Sequence, residues 1–212
     1  MATVEKMNVH KALAELKILE SRISSAISDA TFCVANKATN NKISGISVKD
    51  YEGVIQGHWD KINGLITRKT AIKKAVQLSN ATTEVEINGQ KMTRVEAIEM
   101  KNHGLEFKKD LLRKLKYQYT NAVNKIDSEN REVEKRADNY ITNLLGSREN
   151  AKGEEADTAR KSFIENNQFV LVDPIKIREK IDALQAEIDA FMAEVDSVLS
   201  VSNSLTIIEV EY

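Results

Sequence analysis

The stretch DPIKIREKIDALQAEIDAFMAEVDSVL, from Asp173 to Leu199, decides the fold of this chain. Its apolar residues recur at alternating steps of four and three, which is the spacing of a heptad stripe. Asp173 as N-cap and Pro174 at the first helical position predict where the helix begins. A stripe this narrow predicts a helix at 174–200 that packs against one or two partner helices. The stripe residues are Ile177, Ile181, Leu184, Ile188, Phe191, Val195 and Val198.

The composition favours long helices throughout the chain. Only one proline and eight glycines occur in 212 residues, so obligatory helix breaks are few. The charged fraction is 30% and the aromatic fraction 5%, which is typical of amphipathic helices rather than of an enzyme with a deep pocket. We therefore predict a mainly α fold, a single elongated domain over 1–212. It would be a helical bundle or coiled-coil hairpin with a few short strands at one end.

Three further helices are predicted from apolar periodicity and capping signals. The first covers about 8–30. The second, 47–79, opens where Ser47 and Asp50 have the spacing of a capping box. The third, 94–145, follows Thr93 with its glutamate three residues later, and it could bend at His103-Gly104.

Short strands are predicted between these helices, and one long segment is predicted to be a loop. The clearest strand, 82–87, precedes Asn88-Gly89, a strong signal for a type I′ turn. The polar segment 146–167 is predicted to be a loop. The other predicted strands are 31–35, 168–172 and 205–212.

The charge distribution predicts which helices pair. The net charge is −1, but residues 101–120 carry six basic side chains, whereas residues 175–212 carry three basic and eight acidic ones. We expect these two segments to pair through opposite charge, either within one chain or between chains. The alternative is a phosphate-binding surface, but aromatic residues for base stacking are few there, so no nucleic acid is expected.

No pattern in the sequence carries recognisable chemistry. His10, His58 and His103 lie far apart, and the single Cys33 offers neither a disulfide nor a metal pair. Phosphate-binding loops, nucleophile elbows and dinucleotide fingerprints are missing. We therefore expect no enzyme, no cofactor, no metal and no small-molecule substrate. Trp59 falls on an apolar stripe and is interpreted as a packing residue.

The expected location follows from two further patterns. No apolar run reaches the length of a membrane-spanning helix, so no membrane span is expected. Met1–Met7 lacks the apolar core of a signal peptide. Synthesis in the cytoplasm is expected, with a virion as a further possible location.

Several capping and turn signals resemble those of a family of small helical proteins from bacteria and phages that is named septicolysin-like. The signals are Ser79-Asn80-Ala81-Thr82 at a helix exit, Gly89, Thr93-x-x-Glu96-Ala97-Ile98 at a helix start, and Asn203 after the heptad helix. The resemblance covers about half of the chain. The tail 207–212 and the insertion around 151–163 depart from it. It implies a helical-hairpin architecture, and many members are encoded by phages or prophages.

These patterns favour a non-enzymatic structural protein that assembles with itself or with other structural proteins of a particle, such as a bacteriophage virion. The heptad stripe and the strand edge formed by Ile208, Val210 and Tyr212 are the predicted interface. An intracellular coiled-coil adaptor is the alternative. A membrane-acting protein, suggested by the family's name, fits less well because the helices carry balanced charge.

Overall fold

The computed structural model describes residues 4–146 and 153–212. The chain is mainly α-helical, with short antiparallel strand pairs between the helices, as the sequence predicts. The helices are α1 (Val9–Asp29), α2 (Val48–Thr82), α3 (Arg94–Glu99), α4 (Glu106–Leu145), α5 (Glu154–Asn167) and α6 (Ile177–Leu205). The strands are β1 (Val4–Asn8), β2 (Lys42–Ile43), β3 (Ile46–Ser47), β4 (Glu84–Ile87), β5 (Gln90–Thr93) and β6 (Ile207–Glu211), paired as β1 with β6, β2 with β3 and β4 with β5.

The first two predicted helices are confirmed by α1 and α2, and side-chain caps fix where each begins. The side-chain oxygen of Asn8 accepts the N–H of Lys11 at 2.8 Å at the start of α1. The hydroxyl of Ser47 accepts the N–H of Asp50 at 3.1 Å at the start of α2. Each cap satisfies an amide that has no partner inside the helix.

The third predicted helix is divided by a π-helical turn. It begins at Arg94 with the predicted capping box between Thr93 and Glu96, and α3 runs only to Glu99. Met100–Gly104 then forms the π-helical turn, at the predicted point of bending, and α4 follows from Glu106. A wider turn of this kind shifts the register of the side chains that follow it.

The predicted start of the heptad helix is wrong by three residues. Asp173 and Pro174 do not form its first turn, since α6 begins at Ile177 and continues to Leu205. Lys176 has a φ of 54°, a left-handed conformation that interrupts the helix before Ile177. Asp173 nevertheless acts as a cap from four residues away, because its carboxylate accepts the N–H of Ile177 at 2.8 and 2.9 Å.

Two of the four predicted strands are confirmed. The segment 82–87 contains β4, and Asn88 and Gly89, with φ values of 50° and 72°, make the predicted turn into β5. The segment 205–212 contains β6, which pairs with β1, a strand that no sequence pattern predicts. The small β2–β3 hairpin is likewise unpredicted.

The strands predicted at 31–35 and 168–172 are wrong. Neither segment forms a paired strand, because no strand lies beside either one among the described residues. Their backbone groups bind side chains instead. The N–H of Thr31 donates to Nδ1 of His58 at 3.1 Å, and the N–H of Phe169 donates to the side-chain oxygen of Asn130 at 2.7 Å.

The loop predicted at 146–167 is wrong for most of its length. Residues 147–152 lie outside the described residues, but α5 occupies Glu154–Asn167. Only a few apolar side chains hold α5 against α4: Ala156 is buried, and the Phe163 ring stacks on Tyr140 with ring centroids 5.0 Å apart. Because few apolar residues are needed for these contacts, the sequence of α5 shows little apolar periodicity, and the helix could not be predicted from it.

Contacts group the chain into two compact units, the first made of residues 4–104 and 191–212. In this unit the apolar faces of α1 and α2 pack together beneath the β1–β6 ribbon. The predicted single elongated domain over 1–212 stays a prediction. The buried core of the first unit includes Met7, Val9, Ala12, Leu19, Ile72, Val76, Ile208 and Val210.

The second unit, residues 105–190, contains the charge-paired helices that the sequence predicts. Lys108 binds Glu187 at 2.5 Å, and Lys116 donates to the side-chain oxygen of Gln185 at 2.7 Å. Because the residue number rises along α4 as it falls along α6, the two helices run antiparallel, and their pairing is within one chain. Buried residues of this unit include Leu112, Val133, Ala137, Ile141, Ala156, Ile181 and Ile188.

Replacing Lys176 tests the backbone conformation that sets the start of α6. A left-handed residue other than glycine costs about 1–2 kcal/mol, whereas glycine loses about 0.4–1 kcal/mol more chain entropy on folding than alanine. We expect Lys176→Gly to raise the free energy of unfolding by up to about 1 kcal/mol. Lys176→Val should lower it, because a β-branched side chain tolerates this φ least. Urea unfolding measures both, and equal midpoints for the two variants would contradict this account.

The capping box at the start of α3 predicts a dependence of stability on pH. The pKa of Glu96 lies below its usual 4.5 because its carboxylate accepts the Thr93 backbone N–H, at 2.7 Å, and the Thr93 hydroxyl. The stability that this lowered pKa contributes is therefore present above pH 4.5 and is lost as pH falls through the folded-state pKa. Glu96→Gln keeps an acceptor that does not titrate. The stability advantage of the parent chain over this variant should shrink between pH 5 and pH 3, and a constant difference would count against the prediction.

Candidate interaction surfaces

Most of the predicted interface is already covered within a single chain. Ile181 and Ile188 are buried in the second unit, and Phe191 and Val195 are buried in the first. The other three stripe residues, Ile177, Leu184 and Val198, are half-buried. The stripe therefore serves mainly to hold the chain together, and a surface for a partner has to be sought elsewhere.

The predicted residues of the last strand divide between core and surface. Ile208 and Val210 are buried in the core of the first unit, and Tyr212 is exposed. The guanidinium of Arg68 lies 4.7 Å from the centre of the Tyr212 ring, in cation–π contact. Arg68 also binds Glu5 at 2.9 Å and Glu15. This cluster ties the β1–β6 ribbon to α1 and α2.

The ion pairs of Arg68 change the pKa of the groups involved. Hydrogen bonding to Glu15 raises the pKa of Arg68, and Glu5 adds to the effect. The hydrogen bond from Arg68 in turn lowers the pKa of Glu5. Both groups are held in their charged forms at neutral pH, as a structural ion-pair network requires.

A fully buried arginine, Arg94, joins three elements of the first unit. Its guanidinium donates to Oδ1 of Asn203 on α6 at 2.9 Å, to the hydroxyl of Ser79 on α2 and to the hydroxyl of Thr83 at 3.3 Å. Its Nε has no hydrogen-bond partner among the described residues. None of the three acceptors is charged, and burial lowers the pKa of Arg94.

The resemblance signals in the sequence converge on this arginine. Ser79, from the helix exit, and Asn203, near the end of α6, are two of its three acceptors, and the Thr93–Glu96 capping box is adjacent to it. Sequence reasoning recognised these residues as turn and cap signals but missed the side chain that joins them. Since the guanidinium binds side chains from separate parts of the chain, the cluster acts as a structural joint.

An aromatic patch is exposed where the connection after α1 returns to α2. The rings of Phe32 and Trp59 meet edge to face with centroids 6.5 Å apart, yet 45% and 56% of these residues remain exposed. The interpretation of Trp59 as a packing residue is therefore wrong for more than half of its surface. Val34 and Ile46 in the same connection are exposed as well. We call Phe32 and Trp59 the aromatic patch.

The surroundings hold the aromatic patch in place. Thr31, next to Phe32, donates its N–H to Nδ1 of His58, next to Trp59, at 3.1 Å. This hydrogen bond fixes the connection against α2 at the point where the two rings meet. Residues 30–49 carry Lys37, Lys42 and Lys49 and no acidic side chain. The patch is thus an ordered apolar surface in a locally basic segment.

A groove of about 490 Å³ lies between α1 and α2 beside the patch. Its lining includes Arg22, Asp29, His58 and Lys61. Among the described residues, no hydrogen bond links a serine, threonine or cysteine side chain to a histidine, the arrangement that activates a nucleophile. Within the same ranges, no three His, Cys, Asp or Glu side chains are grouped as metal ligands would be.

No helix in the described ranges, 4–146 and 153–212, combines the length and the apolar character needed to cross a bilayer. Comparisons with protein-family models, with curated proteins and with solved structures find no match for this chain. The resemblance to the septicolysin-like family is therefore untested and stays a prediction.

Replacing Arg94 tests its role as a joint. Arg94→Met leaves the Ser79 and Asn203 oxygens without their donor, and hydrogen bonds to a charged group contribute about 1.5–3 kcal/mol each. We expect the free energy of unfolding to fall by about 2–4 kcal/mol. The control Arg113→Met removes an exposed arginine paired with Asp110 on α4 and should cost less than about 0.5 kcal/mol. Chemical denaturation compares the two, and equal losses would show that Arg94 is no joint.

Proposed function

We propose that this chain is a non-enzymatic structural protein that assembles with copies of itself or with other structural proteins of a larger particle. The observation that carries the proposal is the aromatic patch. Trp and Phe are enriched in protein–protein interfaces, and exposed aromatic residues that are already ordered bind at a low cost in entropy. The edge-to-face contact of Phe32 with Trp59 and the hydrogen bond from Thr31 to His58 supply that order.

The layout of the molecule supports an assembly role. The apolar heptad stripe stabilises the chain internally, so the aromatic patch remains available to a partner. Large exposed apolar side chains also occur elsewhere on the chain, and together they provide several points of attachment. A protein of this kind would hold neighbours at fixed positions rather than convert a substrate.

A phage virion is the setting that we propose for this assembly. The resemblance to the septicolysin-like family supports it, because many members of that family are encoded by phages or prophages. The residues that carry the resemblance, Ser79 and Asn203 among them, hold the joint around Arg94. An intracellular adaptor is the alternative, and it would use the same patch to bind a different protein.

Light scattering of the purified chain over a hundredfold dilution tests self-assembly through the aromatic patch. We expect a discrete oligomer at high concentration. The double variant Phe32→Ser with Trp59→Ser should shift it towards the mass of one chain, because the patch loses its apolar anchors. The control Tyr117→Ser removes an exposed aromatic residue from α4 and should leave the mass unchanged. A parent chain that stays monomeric throughout would contradict self-assembly and favour a different partner.

A further inference from the structure

A second exposed surface is the apolar segment 169–172, with the sequence Phe-Val-Leu-Val, between α5 and α6. It runs without helix, turn or bend and has no neighbouring strand among the described residues. Val170 and Val172 are 66% and 88% exposed, whereas Phe169 and Leu171 are 39% and 41% exposed. The alternation is that of a β-strand with one face on the protein and the other in solvent. We call this segment the free strand.

One edge of the free strand is already occupied by a side chain of α4. The N–H of Phe169 donates to Oδ1 of Asn130 at 2.7 Å, and Nδ2 of Asn130 donates to the carbonyl of Phe169 at 3.1 Å. The asparagine amide thus pairs with Phe169 as a neighbouring strand would. Since the backbone groups of a strand alternate between its edges, those of Val170 and Val172 point away from Asn130. No hydrogen bond within the described residues reaches either of them.

We propose that the free strand pairs antiparallel with the free strand of a second copy, about a two-fold axis at Leu171. Val170 of each copy then lies opposite Val172 of the other. Their outward N–H and C=O groups form two hydrogen-bonded pairs, with four hydrogen bonds in total. This inference rests on the part of the proposed function in which the chain assembles with copies of itself, and it assigns one contact between those copies.

The charges around the free strand favour this occupant and this direction. The four residues are uncharged, and a parallel pair would place Asp173 beside Asp173, which is unfavourable. In the antiparallel pair Asp173 lies opposite Phe169, and the flank that carries Lys176 lies beside the flank on which Lys161 and Glu165 form an ion pair. Pairing with β6 of a second copy would instead place the apolar free strand opposite the charged side chains of Glu209 and Glu211.

The size of the contact sets its strength. Stable protein–protein interfaces bury about 1,200–2,000 Å² in total, and a pair of four-residue strands provides far less. The paired dimer therefore forms only at high protein concentration, and a test has to trap it covalently. The two hydrogen bonds between Asn130 and Phe169 hold the strand in place in the single chain, so pairing needs no folding step.

Disulfide trapping tests the register. In a Cys33→Ser background, Leu171→Cys places two thiols across a non-hydrogen-bonded pair, with Cα atoms about 4.5 Å apart, within the range for a disulfide. Val172→Cys places them two residues out of register, beyond about 7 Å. We expect the dimer of Leu171→Cys to form at least about tenfold faster under mild oxidation. If the disulfides formed by random collision, the Val172→Cys dimer would form faster, because Val172 is the more exposed residue.

A second variant tests the hydrogen bonds. Val172→Pro in the Leu171→Cys chain removes an outward N–H and should slow trapping about tenfold, whereas Val172→Thr keeps that N–H and the branched side chain and should not. Circular dichroism checks that the helices persist in both.

The outcomes separate this inference from the proposed function. Faster trapping of Leu171→Cys, lost with the proline, supports the pair. The proposed pair is overturned if the Leu171→Cys chain is trapped as a dimer no faster than the Val172→Cys chain. If light scattering still shows an oligomer in that case, assembly stands and uses another surface. If the parent chain is also monomeric, self-assembly fails as a whole, and the proposed function then requires a different protein as the partner.

Discussion

The first unit depends on the hydrogen bonds of one buried charge, the guanidinium of Arg94, which has no opposite charge beside it. A guanidinium removed from water must find acceptors for its N–H groups, or burial becomes costly. Arg94 finds them in Ser79 and Asn203, which are 15 and 109 residues away along the chain. Its own backbone N–H donates to the carbonyl of Thr83 at 2.9 Å, so the same residue closes the β4–β5 hairpin. The end of α2, the start of α3 and the last turns of α6 must therefore be in place together.

The neutral lining of this joint distinguishes it from the cluster around Arg68. Arg68 lies near the surface between two carboxylates, and its ion pairs attract over a distance. Arg94 has only hydroxyl and amide oxygens, which bind well only at the right distance and angle. A joint of this kind fixes the positions of its acceptors more than it adds attraction. It therefore disfavours any arrangement in which Ser79 on α2 and Asn203 on α6 do not both reach Arg94.

The parts of the fold that the sequence predicts are those that depend on local chemistry. Ser47 and Thr93 mark helix starts because a cap involves residues only three apart, and Asn88-Gly89 marks its turn for the same reason. β1 was missed because its partner is about 200 residues away. At the start of α6, Asp173 and Pro174 fit two backbone conformations, and the left-handed Lys176 decides between them.

The candidate surfaces were harder to predict because periodicity does not show which members of a stripe are covered. Trp59 continues the apolar spacing of α2, but α1 ends at Asp29, and the Phe32 ring meets the Trp59 ring edge to face. The free strand has the composition of a buried strand, and only the absence of a partner in the described fold exposes it. Arg94 follows a capping residue, a position from which basic side chains usually reach solvent.

The β1–β6 ribbon has a consequence for how the first unit forms during synthesis. Val4 pairs with Glu211, so β1 is translated about 200 residues before its partner β6. At about 5–20 residues per second, translation of the intervening chain takes roughly 10–40 s. During that time the apolar faces of α1 and α2 lack the cover that Ile208 and Val210 supply. The first unit is thus completed only after Val210 leaves the ribosome.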